Sequence, residues 1–201
     1  PTQTKLLNIC LAGSYLEETV TMLQNILEDA GITSVISAIG QPIYGNNHRL
    51  FSEYIHMTKI LNTSTSGEIF IFFPYVESIR QKTPIDEWEN VVEAIISAAE
   101  KKFSYIIIAS PFPAPPFPEI YEPYKKAAEK IVINRNLELL DIYTLYLSHP
   151  DWKKMFTYQQ GIYKNLPTED ENHLFIKELA KIIMRLWKST ANNLIIPYDE
   201  K

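Results

Sequence analysis

Ser14 follows a short apolar run, Lys5 to Leu11, and stands between Gly13 and Tyr15 just before residues with helical spacing. Two readings fit a serine there. It can act as a helix N-cap, accepting one of the orphan N–H groups of the first turn. It can also be a nucleophile held at a helix N-terminus, where backbone N–H groups would stabilise an oxyanion. A nucleophilic serine needs a base, normally histidine, with a carboxylate to orient the ring. His48 and His56 lie in a segment of mixed pattern and His149 precedes Pro150, so these three read as surface or capping residues. His173 differs, standing three residues after Asp170 at the start of the last helical stretch. That separation suits a carboxylate–imidazole hydrogen bond, and equally suits an Asp170 cap with His173 incidental.

Composition narrows the chemistry around these residues. The chain has 201 residues, enough for the one domain expected over 1–201 with a single substantial core. Nineteen Lys and Arg against 24 Asp and Glu leave a net charge of −5, which argues against nucleic acid or an anionic membrane as partner. The one cysteine, Cys10, excludes an internal disulfide framework and a cysteine-built zinc site, and no metal or cofactor is expected. No apolar run reaches the roughly 20 residues that span a bilayer. No charged segment followed by a hydrophobic one opens the sequence, which favours the cytosol over export. Six glycines against 13 prolines argue against a glycine-rich phosphate loop, and Gly13 to Thr19 (GSYLEET) is too bulky and acidic to be one.

The elements that must position Ser14, Asp170 and His173 alternate between strands and helices. Strands are expected at Lys5–Leu11, Ser34–Ile39, Glu68–Phe73, Ser104–Ala109 and Leu137–Ile142, each a short apolar run. Helices are expected at Leu16–Ala30, closed by Gly31, and at Leu50–Leu61, Pro84–Lys101, Tyr124–Arg135 and His173–Lys188. Six of the prolines fall within Pro111–Pro123, a stiff loop, since proline lacks the N–H that a helix or sheet uses. Ser148 to Asp170 reads as loop. Strands separated by helices of this length imply crossover connections and a parallel sheet covered on both sides. The expected fold is therefore a three-layer α/β/α sandwich with a mostly parallel five-stranded sheet. Ligands in such sheets bind beyond the carboxyl ends of the strands.

This order of blocks resembles the SGNH (GDSL-type) hydrolases, a family of esterases, lipases and carbohydrate O-acetylesterases with a flavodoxin-like fold. Leu11-Ala12-Gly13-Ser14 is similar to the strand and Gly-Asp-Ser of the nucleophile block, with Ala12-Gly13 in place of Gly-Asp. Gly40 best matches the oxyanion glycine of the second block, with Gly45 as second choice. Asp170-Glu171-Asn172-His173 matches the Asp-x-x-His that opens the last helix. The resemblance implies Ser14 as nucleophile, His173 as base, Asp170 as its orienting acid, and Ser14 and Gly40 N–H groups for the oxyanion.

The third block departs from the pattern. Gly-x-Asn-Asp reads Pro74-Tyr75-Val76-Glu77 here, and valine cannot donate the hydrogen bond that the asparagine gives. Asn46, Asn47 and Tyr75 are the candidate replacements and substrate contacts. Tyr75, Tyr105, Tyr121, Tyr124, Tyr158, Tyr163, Phe112, Phe117, Trp152 and Phe156 lie in or near strand-end loops. They are expected to pack those loops rather than line a cleft. Two functions follow from the resemblance: hydrolysis of a small acyl ester, on a carbohydrate or similar molecule, or a catalytically weakened binding module of the same fold.

Overall fold

The computed structural model describes residues 5–15, 17–42, 56–63, 66–75, 78–79, 81–159, 162–167 and 169–192. Five strands form one parallel sheet: β1 (Leu7–Tyr15), β2 (Ser34–Pro42), β3 (Gly67–Phe73), β4 (Phe103–Ala109) and β5 (Glu138–Leu140). Their order is β2-β1-β3-β4-β5. The central strands are continuous apolar runs because both of their faces are covered. Ile9–Ala12, Ile69–Phe73 and Ile106–Ala109 are all buried.

Two helical layers provide that cover. Helix α1 (Glu17–Asp29) packs along α6 (Glu169–Asn192) on one side. On the other, α2 (Met57–Thr63) meets α3 (Ile85–Ala99), which meets α4 (Glu122–Arg135). Trp88, Val92, Ile95 and Ile96 of α3 are fully buried, the stripe expected from their spacing. Gly31 ends α1 with φ +79°, and the Ile32 N–H reaches back to the Leu27 carbonyl at 2.8 Å. Asn136 does the same for α4 in the left-handed region, φ 54°.

The expected α/β sandwich and its parallel five-stranded sheet are therefore present, with four local corrections. Strands β1 and β2 run on to Tyr15 and Pro42, because their mutual ladder continues through Gly13–Gly40 to Tyr15–Pro42. Ser14 thus belongs to the end of a strand rather than to a helix cap, and α1 begins only at Glu17. Strand β5 stops at Leu140. There the Asp141 side chain accepts the Thr144 N–H at 3.1 Å and caps a short helix, α5 (Ile142–Leu147). The expected helix at Leu50–Leu61 is seen as α2 from Met57, and its first part lies outside the described residues.

The fourth correction concerns Ser148–Asp170, read as loop. It holds a 3₁₀ turn at Trp152–Met155 and an antiparallel pair, β6 (Phe156–Gln159) and β7 (Ile162–Pro167). The signal was present in the alternation of Phe156 and Tyr158 and in Gly161 between two β-prone runs. Helix α6 then starts at Glu169, four residues before the expected His173.

Cys10 sits in the middle of β1 and is 1% exposed. Burial pushes its thiol from 9.0 up to about 11, against a smaller opposing pull from the Ser37 hydroxyl. The unfolded chain therefore loses this proton first. The stability it contributes is whole below about pH 9 and is lost as the pH rises towards 11. The fall is about 2–3 kcal/mol, at 1.36 kcal/mol per unit of pKa. Urea midpoints of the wild type should drop across this interval, and those of Cys10→Ala should drop less steeply.

Candidate active site

The strand order reverses direction at β1, with β2 on one side and β3 on the other. In an open parallel sheet that reversal leaves a crevice at the carboxyl ends of the two strands where successive connections part. Gly13 and Ser14 lie at this point. Gly13 pairs in register with Gly40 of β2 and with Phe73 of β3, and Ser14 pairs with Gln41. Three strand ends thus converge on the residue before the serine.

The convergence requires glycine. Gly13 has φ +86°, and a Cβ placed on it would lie 2.3 Å from the Phe73 carbonyl oxygen and 2.8 Å from the carbonyl carbon. Both the dihedral and the approach exclude a side chain.

Aromatic packing draws the start of α6 to the same edge. The Phe175 ring meets Phe73, the last residue of β3, edge-on with centroids 6.4 Å apart. Phe112, from the proline-rich segment after β4, meets Phe175 at 5.4 Å, Tyr146 of α5 at 5.5 Å and Phe156 of β6 at 6.4 Å. Trp152 closes on Phe156 at 6.3 Å. The strand end, proline loop, hairpin and last helix therefore share one cluster. Asp170 and His173 stand in the first turn of α6, three residues apart and just ahead of Phe175. Asp170 is a helical residue, one turn from His173, and not the residue before the helix.

For Ser14, Gly40, Asp170 and His173 the structure describes the backbone. Asn46, Asn47, Val76 and Glu77 lie outside the described residues. Tyr75, expected as a substrate contact, is instead 7% exposed, its ring stacked on Trp88 with centroids 5.7 Å apart. Its hydroxyl has no hydrogen-bond partner among the described residues. Burial, then the Asp141 and Glu129 carboxylates, hold its pKa well above the ordinary tyrosine value. The turn after β3 is pinned to α3. The Pro74 carbonyl accepts the Trp88 Nε1–H at 3.1 Å and the Ser78 hydroxyl at 2.9 Å. Of the aromatics expected to pack the loops, Tyr121, Tyr124 and Phe156 are also buried, whereas Phe117 is exposed.

Among the described residues no helix is long and apolar enough to cross a membrane. Nor do three or more His, Cys, Asp or Glu side chains cluster there as metal ligands would.

No family model and no curated protein sequence matches the chain. Solved structures do. A family 3 carbohydrate esterase from Clostridium thermocellum superposes with a TM-score of 0.68 at 12% identity, covering 92% of this chain and 98% of its own. Axe2, an acetylxylan esterase from Geobacillus stearothermophilus, gives 0.67 at 9% identity, covering 90% and 93%. A lipolytic protein of the G-D-S-L family from Veillonella parvula gives 0.65 at 11%, covering 90% and 100%. The chain has the SGNH hydrolase fold. At such identities the likeness is one of backbone path.

Gly13→Ala should destabilise the protein by at least about 1–3 kcal/mol from the dihedral alone, with the carbonyl clash in addition. Urea unfolding of the variant beside Gly31→Ala, whose Cβ would meet no atom within 4 Å, separates the two contributions.

Proposed function

We propose that this chain is a serine ester hydrolase of SGNH type, acting on small acyl esters, chiefly O-acetyl groups, of a carbohydrate or similar polyol. One observation carries the reading. The Gly13–Ser14 strand end lies at the reversal point of the sheet, and Phe175 on Phe73 draws the helix turn bearing Asp170 and His173 to that same edge.

In this mechanism Ser14 Oγ attacks the ester carbonyl while His173 takes its proton, with Asp170 orienting the ring and stabilising the imidazolium. The tetrahedral oxyanion is held by the backbone N–H groups of Ser14 and Gly40. Its collapse breaks the bond to the leaving alcohol, which receives the proton from His173. Water then attacks the acyl-serine with His173 again as base, releasing the carboxylic acid and restoring Ser14. The acetyl preference is supported by the carbohydrate and acetylxylan esterases among the structures of like fold.

Pro74 and Val76, where Gly-x-Asn-Asp is the family pattern, favour a second reading, a binding module of the same fold with weakened catalysis. Tyr75 is buried and stacked on Trp88, so a third oxyanion donor under the first reading falls to Asn46 or Asn47.

Ser14→Ala should abolish release of acetate from p-nitrophenyl acetate and from acetylated sugars while leaving the thermal midpoint near that of the wild type. Activity that persists in Ser14→Ala, or that no ester elicits from the wild type, leaves the binding module as the surviving reading.

Val76→Asn tests the missing donor directly. It should raise kcat, up to the roughly 10²–10³-fold that one oxyanion donor contributes, with little change in KM. An unchanged kcat would mean that another group already fills that role.

A further inference from the structure

The two edges of the sheet are protected very differently. β5 is three residues long, and its Glu138 is held by Arg185 of α6 through hydrogen bonds of 2.7 and 3.1 Å. Short length and charge are the usual means of keeping an edge from pairing with another chain. β2, at the other edge, has nine residues, Ser-Val-Ile-Ser-Ala-Ile-Gly-Gln-Pro, with no charge anywhere and no proline before position 42. Among the described residues no strand pairs with its outer side.

Among the described residues, the groove beside this edge has an uncharged lining. Val35 is 48% exposed and Ile60 of α2 is 44% exposed. Between them runs a groove of about 410 Å³ lined by Asn8, Val35, Ser37, Ile39, Ile60 and neighbours that carry no charge. It lies along the early part of β1 and β2, away from Ser14.

We infer that β2 is an interaction surface for a second copy of this chain, the two β2 strands pairing antiparallel about a twofold axis at Ser37. The sequence is self-complementary about that residue. Val35 of one copy falls opposite Ile39 of the other, Ile36 opposite Ala38, and Ser37 opposite itself. Every pair is uncharged, so nothing repels when the edge meets its own copy, and the apolar pairs lie on matching faces. The pairing satisfies the unpaired backbone groups of both edges and joins two five-stranded sheets into one of ten strands. It closes after two copies, because the β5 edges are blunted. The carboxyl ends of the two sheets then point in opposite directions, so each candidate site stays within one chain. The proposal is independent of the esterase reading.

Sedimentation velocity over a concentration series tests it, with Val35→Lys as the disrupting variant and Ile133→Lys, at a 78% exposed position of α4, as control. The wild type and the control should show a species of twice the chain mass, and Val35→Lys should sediment as a monomer with an unchanged far-ultraviolet spectrum. A second measurement does not depend on that variant folding. Antiparallel partners lie about 4.5–5.5 Å apart between Cα atoms, within disulfide range, so Ser37→Cys should oxidise to a covalent dimer linked through position 37. Cys10 is buried and stays out of that reaction. A wild type that is monomeric at every concentration overturns the inference. So does a dimer that survives Val35→Lys and is not linked at position 37, which would place the interface elsewhere.

Discussion

The close approach of Gly13 to the Phe73 carbonyl is the constraint on which the carboxyl edge of this molecule depends. A backbone with a side chain at position 13 could not lie this near β3, and the positive dihedral there is one that glycine alone adopts readily. Because β1 is the central strand of the reversal, its end also fixes where β2 finishes, through the Gly13–Gly40 register. Residues 13 and 40, two of only six glycines in the chain, thus stand opposite each other in the β1–β2 ladder.

The second layer of the site is aromatic. Phe73, Phe112, Phe175, Tyr146 and Phe156 come from five separate segments, and their rings meet edge-on or tilted at 5.4 to 6.4 Å. Such packing ties the proline loop and the β6–β7 hairpin to the sheet without covalent links. It also sets where the first turn of α6 begins, since Phe175 is two residues beyond His173. On the opposite side of the sheet, Trp88 and Ser78 hold the Pro74 carbonyl and Trp88 stacks on Tyr75. Pro74 and Tyr75, just past β3, are thus anchored to α3.

The contrast between the two sheet edges belongs to the same economy of charge. Arg185–Glu138 places an ion pair at the β5 edge, while β2 has none, and its neighbours along the groove are uncharged as well. An edge without charge, and with its one proline at its last residue, is a surface for pairing unless something covers it.

Much of this was legible in the residues alone. Apolar runs such as EIFIFF and SYIIIA read as buried strands by their length and β-prone residues, and the stripe of Trp88, Val92, Ile95 and Ile96 reads as the buried face of a helix. Together they determined a parallel α/β sandwich, the fold that the structure has. The ends of elements were less legible, because local propensity does not see a neighbouring strand. Ser14 read as a residue at a helix start, cap or nucleophile, until the ladder with β2 carried the strand past it. Ile142 looked like strand until Asp141 capped a helix, and Tyr75 looked like a surface contact until Trp88 stacked on it. What only the tertiary structure decided is which distant segments share the carboxyl edge. That depends on the fit of five aromatic rings and on a glycine too close to a carbonyl to bear a side chain, which are relations between residues far apart in the chain.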